Sequence, residues 1–247
     1  MLRIGREGHL LALLFGIPQF CFNFNAVYAA EHYITSGLVA VVFALLLLPN
    51  SLLSWLFLGH RISRRFVAGS AVALVGVGLL FVQEMRVSEV GRSDIAVGIA
   101  LTLFGVLSAS VANVMQATPR LSTRPIASMI AWGMVYGVLV NGALAWALYG
   151  PPTVEPRLGY WVGLLYLGLV ASALAFTFYF GIIRVIGPGR AAYSSLLVPI
   201  IAMALSTLFE GYRWSWLAAG GGVLALTGLF IALRARKAEA PPESGPA

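Results

Sequence analysis

The chain has 247 residues, 60% hydrophobic and only 10% charged, where an ordinary soluble domain carries roughly 25% charge. Too little polar surface remains to cover a water-exposed globule, which excludes a cytosolic enzyme. The net charge of +7 comes almost wholly from arginines that fall between apolar runs rather than along one face, so it reads as membrane topology and not as nucleic-acid binding.

Apolar runs long enough to cross a bilayer are predicted at residues 10–30, 36–57, 66–82, 94–116, 126–149, 159–182, 190–209 and 214–233, about eight in all. Turn chemistry separates them at Gly59-His60-Arg61, between Gln83 and Arg92, and at Thr118-Pro119-Arg120, Gly150-Pro151-Pro152, Gly187-Pro188-Gly189-Arg190 and Glu210-Gly211. The expected fold class is an all-α integral membrane protein. From Arg234 the chain turns polar and ends in a Pro- and Ser-containing tail that reads as disordered.

In chain order, polar side chains inside these runs are the candidates for a solute cavity, because hydrocarbon does not solvate them. In the first run Gln19 and Asn23 share one face, Asn25 and Tyr28 another; Asn23, nearer mid-depth, is the predicted cavity residue and the other pair a packing contact. Cys21 reads as a small apolar filler, and as the sole cysteine it builds no internal disulfide. Pro18, Gln19, Asn23 and Asn25 interrupt what would be the smooth core of a cleaved signal peptide, so this run is taken as a helix. In the second run Pro49 removes a backbone donor beside Asn50 and Ser54, which makes Pro49 a candidate hinge and Asn50 a candidate cavity residue. Ser110, Asn113 and Gln116 recur at three-residue steps as a polar stripe in the fourth run; the stripe fits a cavity lining, or at Gln116 a helix end near the headgroups.

Further along, Gly133, Gly137 and Asn141 form a small-residue stripe suited to close helix packing. Phe176, Phe178, Tyr179 and Phe180 fit aromatic packing or the wall of a pocket. Tyr193 is a further cavity candidate and Pro199 a second hinge candidate. Glu31, His32 and Glu210 fall near helix ends, and no acidic or basic residue is placed at mid-membrane, so a relay of buried carboxylates has no candidate. The sequence carries no phosphate-binding loop, no metal-ligand spacing and no nucleophilic triad; no enzyme activity, cofactor or metal is expected.

Of the 16 basic residues, about 12 fall at the termini and in alternate loops, which places both termini in the cytoplasm. A shift of about 150 residues lays the first three runs over the last three, with Leu46-Leu47 on Leu196-Leu197, Pro49 on Pro199 and Gly78-Leu79 on Gly228-Leu229. The first and sixth runs lie five crossings apart. An odd number reverses direction, so the two copies are inverted, the arrangement in which rocking exposes a central site to either side in turn.

The stretches Tyr28-Ala29-Ala30, Thr35 to Ala40, Leu48-Pro49, Trp55 to Ser63 and Gly69 to Leu79 resemble the third to fifth helices of an EamA-type domain of the drug/metabolite transporter superfamily, and the second half resembles a complete domain. The resemblance implies a partial first repeat of three helices over 1–82, a second repeat of five helices over 94–233 and a tail over 234–247, with the first two helices of the usual ten lacking. The family tends to carry Gly-Glu after the proline-containing helix; here that acidic position is His60 in the first copy and Glu210 in the second. What it implies for function is a secondary transporter, exporting a small metabolite or drug-like solute across a bacterial inner membrane by alternating access. The expected partners are that solute, the lipid bilayer and a second copy in a homodimer, with no nucleic acid. The rival reading is a truncated or accessory membrane protein without transport of its own.

Overall fold

The structure, a computed structural model, describes residues 4–59, 61–87, 92–151, 154–191, 197–212 and 214–237. Tyr193, His60 and the tail from 238 lie outside the described residues. The described chain is helical: α1 (Gly5–Ala30), α2 (Ser36–Leu58), α3 (Arg64–Val87), α4 (Arg92–Gln116), α5 (Ile126–Tyr149), α6 (Leu158–Ile186), α7 (Leu197–Phe209) and α8 (Trp216–Lys237), with short turns at Pro119–Ser122 and Pro188–Ala191. Among the described residues seven helices are long and apolar enough to cross a membrane; the run predicted at 190–209 departs from this, its described part being the four-residue turn and the shorter α7.

Backbone chemistry shapes each of the irregular helices. Pro18 has no N–H for the carbonyl of Leu14, and α1 widens into a π-helical turn over Ile17–Phe22, in which the Asn23 N–H reaches the Pro18 carbonyl. α2 tightens at Leu45–Leu46, where the N–H groups of Leu45, Leu46 and Leu48 bond three residues back at 2.9, 3.0 and 2.8 Å. Pro49 stands in the first turn after that tightening, where its missing N–H leaves no gap, and Pro199 occupies the same third position in α7. The predicted opening beside Asn50 thus takes the form of a short i→i+3 turn.

α3 and α8 pack against each other through glycine over most of their length. A Cβ at Gly76 would meet the Ala225 nitrogen at 2.2 Å, and a Cβ at Gly228 the Ala73 nitrogen at 2.2 Å; the Gly221 and Gly69 carbonyls lie at 2.6 Å from the same two positions. Gly69 and Gly221, Ala73 and Ala225, and Gly76 and Gly228 all stand 152 residues apart, so the contact maps onto itself when the two helices are exchanged. The contact runs from Gly69–Gly228 to Gly76–Gly221, rising along one helix while it falls along the other, so the pair is antiparallel. In this pair the separation is therefore 152 and not 150. α1 lies against α4 and α5, and α2 against α4 and α7, while α6 touches α4 and α5 mainly through its last turns.

Candidate functional site: a polar seam between α2, α4 and α6

α4 presents Val97, Leu103, Phe104, Leu107 and Val111 outward and buries Thr102, Ser110, Asn113 and Gln116, an inverted amphipathicity that suits a helix with lipid on one side and polar partners on the other. Asn50, fully buried on α2, is the centre of those partners. Its Oδ1 accepts from Ser110 Oγ at 2.7 Å and from Asn113 Nδ2 at 3.5 Å, and Asn113 Nδ2 also lies 3.5 Å from Tyr179 Oη on α6. The Asn50 carbonyl accepts from Ser54 Oγ, one turn on. With Oδ1 turned to Ser110 and Asn113, the Asn50 Nδ2 is left buried without a partner.

The stripe continues to Gln116, also fully buried, whose Oε1 accepts from Arg184 Nε at 3.1 Å and Nη2 at 2.9 Å. Arg184 Nη1 donates to the Arg124 carbonyl at 2.6 Å, and Gln116 Nε2 has no partner. Opposite, on α1, Gln19 Oε1 and Asn23 Oδ1 are buried acceptors without a donor, and Asn23 Oδ1 lies 3.4 Å from where a Cβ on Gly105 of α4 would sit. Leaving such groups unpaired costs ~1–3 kcal/mol each, which argues for a ligand or water that uses them. Beside this seam Phe15 and Phe20 of α1 meet Phe180 and Phe176 of α6 edge-to-face, each pair 5.2 Å between ring centres.

All but one of the cavity residues predicted from sequence have a definite place. Asn50, Ser110, Asn113 and Gln116 form one continuous seam; Asn23 faces α4 on its far side, and Tyr193 falls outside the described residues. Asn25 pairs not with Tyr28 but with Asn141 Oδ1 at 2.6 Å and the Cys21 carbonyl at 2.8 Å, while Asn141 Nδ2 donates to the Phe20 carbonyl at 2.8 Å. That pairing follows from the π turn, which swings Asn25 toward the small-residue face of α5, where Gly16 packs on Gly133 and Phe20 on Gly137. Arg184 was legible only as one more basic residue at a helix end; nothing in its spacing from Gln116 reveals that the two meet.

Glu210, read from sequence as an exposed helix-end residue, is a cap for α2. Its carboxylate accepts from the Ser36 N–H at 3.2 Å, from Ser36 Oγ and from Ser206 Oγ at 2.7 Å, and Ser206 Oγ also accepts from the Gly37 N–H at 2.8 Å. Partial burial raises the Glu210 pKa, but the Ser36 and Ser206 hydroxyls and the Ser36 N–H outweigh it and hold the carboxyl below its usual value. Nearby Glu31 moves the other way, raised by burial and then by the charge of Glu210, with His32 as a partial offset.

A cavity of about 600 Å³ lies elsewhere, between α2, α7 and α8, where Val41, Pro199, Met203, Ala225 and Leu229 line it. Thr207 offers its walls a hydroxyl, but that hydroxyl already donates to the Met203 carbonyl at 2.7 Å and accepts from Trp214 Nε1 at 2.8 Å. With no free polar group among the described residues that line it, this cavity is the weaker candidate, and the seam with its unpaired donors and acceptors is the better one.

Residues 2–82 and 96–234 match the profile of the EamA-like transporter family. The chain belongs to that family. It is 26% identical over 234 residues to a Salmonella typhimurium protein named "Probable amino-acid metabolite efflux pump", spanning 91% of this chain and 74% of that one. An Escherichia coli protein of the same name is 27% identical over 236 residues, 92% of this chain and 77% of that one, and Salmonella typhimurium Protein PagO is 24% identical over 220 residues, 89% and 71%. A solved crystal structure superposes with a TM-score of 0.66 at 19% identity, covering 94% of this chain and 77% of that chain, a likeness of fold alone. This EamA-family chain is therefore a multi-pass membrane transporter and not an enzyme.

Proposed function

We propose that this EamA-family protein exports small amino-acid-type metabolites from the bacterial cytoplasm across the inner membrane, both termini lying in the cytoplasm, and that it works by alternating access. The observation that carries the reading is the Asn50–Ser110–Asn113–Tyr179 seam, where three helices bring neutral polar groups together inside an apolar bundle. Unused donors at Asn50 Nδ2 and Gln116 Nε2 suit the oxygens of a solute, and unused acceptors at Gln19 Oε1 and Asn23 Oδ1 suit an ammonium group. A zwitterion offers both. The names of the Salmonella typhimurium and Escherichia coli relatives agree with that chemistry.

For the movement, the reading takes residues 1–82 as a three-helix partial repeat and 94–233 as a five-helix repeat, with 234–247 as a tail. The self-matching contact of α3 with α8 supports a rocking axis at that glycine seam, and the short i→i+3 turn before Pro49 together with Pro199 at the start of α7 supports bending at α2 and α7. The test is solute uptake into proteoliposomes with and without a pH gradient, wild type against Asn113→Leu and Asn23→Leu. Both variants, inserted and folded, are expected to lose transport about tenfold or more. Transport unchanged in both would overturn the reading.

A further inference from the structure

Two arginines meet at the end of the bundle that carries the α4–α5 connection, and they are satisfied differently. Arg124 is neutralised: its Nη2 pairs with Glu7 Oε2 at 2.8 Å and its Nη1 donates to the Ile4 carbonyl at 3.1 Å. Arg184, half-buried on α6, has no carboxylate within ion-pair distance among the described residues. Three of its N–H groups are turned inward, two to Gln116 Oε1 and one to the Arg124 carbonyl, so the side chain is not reaching for solvent as a boundary arginine does. A guanidinium has five N–H donors in a rigid fork, and the remaining N–H on each Nη is free for an anion.

The neighbouring amide has the same need. Gln116 is fully buried, and Arg184 pins its carbonyl; a flip would set its NH2 against the cation, so Nε2 is fixed as an unpaired donor. An uncompensated charge and a fixed buried donor side by side call for an acceptor with negative charge and more than one oxygen. The site lies on the stripe that runs through Asn113 and Ser110 to Asn50, between one and two turns of α4 from the centre of the seam.

We infer that Arg184 and Gln116 Nε2 form the carboxylate subsite of the transport path, where the acid group of the solute is recognised and amides or esters of the same solute are rejected. The inference rests on the seam being the path of an amino-acid-type solute. A guanidinium exchanging the Gln116 contact for a carboxylate would also loosen α6 from α4, which gives the solute a handle on the joint it must open.

The full chain in proteoliposomes decides it, with a mixture of neutral amino acids and a matched mixture of their amides as probes. Wild type is expected to move the acids at least about tenfold faster than the amides, the worth of one charge-assisted hydrogen bond. Arg184→Gln should bring the two to parity by slowing the acids, whereas Asn113→Leu should slow both. Arg184→Lys keeps a charge but loses the fork; it is expected to retain part of the preference, and it carries the test if Arg184→Gln does not insert. An unchanged preference, or an equal loss for acids and amides, overturns the subsite and leaves the carrier reading standing. If wild type moves neither probe above the Asn113→Leu background, the carrier reading for this solute class falls and the subsite with it.

Discussion

α1 and α6 are alike in sequence character and unlike in their surroundings. Each is a long apolar helix with a six-residue π-helical turn, Ile17–Phe22 in one and Leu169–Leu174 in the other, 152 residues apart and each preceded by glycine, Gly16 and Gly168. Yet 44% of the most apolar stretch of α1 is buried against only 11% of that of α6. α1 is flanked by α4 and α5 and ties polar residues to α5, through His9 to Tyr136 Oη at 2.8 Å and Asn25 to Asn141 at 2.6 Å. α6 turns most of its length to lipid and buries only Phe180 and Ile183. The difference teaches that burial here is set by which helices stand alongside, not by the helix itself: where lipid is as apolar as leucine, apolar side chains gain little by turning inward.

The sharpest way to break the comparison is to treat the two glycines alike. A Cβ at Gly16 would sit 2.3 Å from the Gly133 carbonyl oxygen, a backbone atom that cannot move aside, whereas at Gly168 nothing lies within 4 Å. Gly16→Ala is expected to cost about 3 kcal/mol in a detergent unfolding titration, and Gly168→Ala to stabilise by about 0.5 kcal/mol through helix propensity. Equal effects would show that α1 and α6 are equally packed. Next in size, Asn50→Leu strips the acceptor from Ser110 Oγ and leaves Asn113 Nδ2 with Tyr179 Oη alone. It should cost about 2 kcal/mol and abolish transport.

Asn141→Ala, which removes the bonds to Asn25 and the Phe20 carbonyl, should lower stability by about 1 kcal/mol. Thr177→Ala on α6, whose hydroxyl only bonds back to the Ala173 carbonyl of its own helix, should be close to neutral by the same assay. The effect at the α2–α7 cap is read through pH. Glu210 has a lowered pKa, so its stabilising contribution is full above the ordinary carboxylate range and is lost as pH falls through that lowered value. Glu31 has a raised pKa, so the cost of its ionised form is present above that value and is relieved as pH falls through it. Stability on acidification should therefore rise slightly and then fall; Glu31→Gln should remove the rise and Glu210→Gln the fall, with about 1 kcal/mol lost at neutral pH in the latter. A pH profile identical in all three proteins would mean that the cap does not hold α2.

Much of the candidate seam was legible in the sequence because one helix carries most of it. Three-residue spacing on α4 put Ser110, Asn113 and Gln116 on one face without reference to any other helix, and Pro49 marked the neighbourhood of Asn50. What joins different helices was not legible. The Arg184–Gln116 contact, the Asn25–Asn141 pair and the Ser36–Ser206–Glu210 cap each span from 68 to 174 residues of chain, and no local period encodes them. The π turn of α6 also left no trace, since it lacks the proline that announces the one in α1.

By itself the sequence determined that this chain lives in a bilayer, roughly where it crosses and which face of α4 is polar, because hydrophobicity and helical period are properties of contiguous residues. Only the tertiary structure decided which polar side chains meet across helices, which cation lacks a counter-charge among the described residues and which glycines touch backbone. Those depend on the distances between helices, and such distances are fixed by packing that the chain reaches only when all of its neighbours are in place.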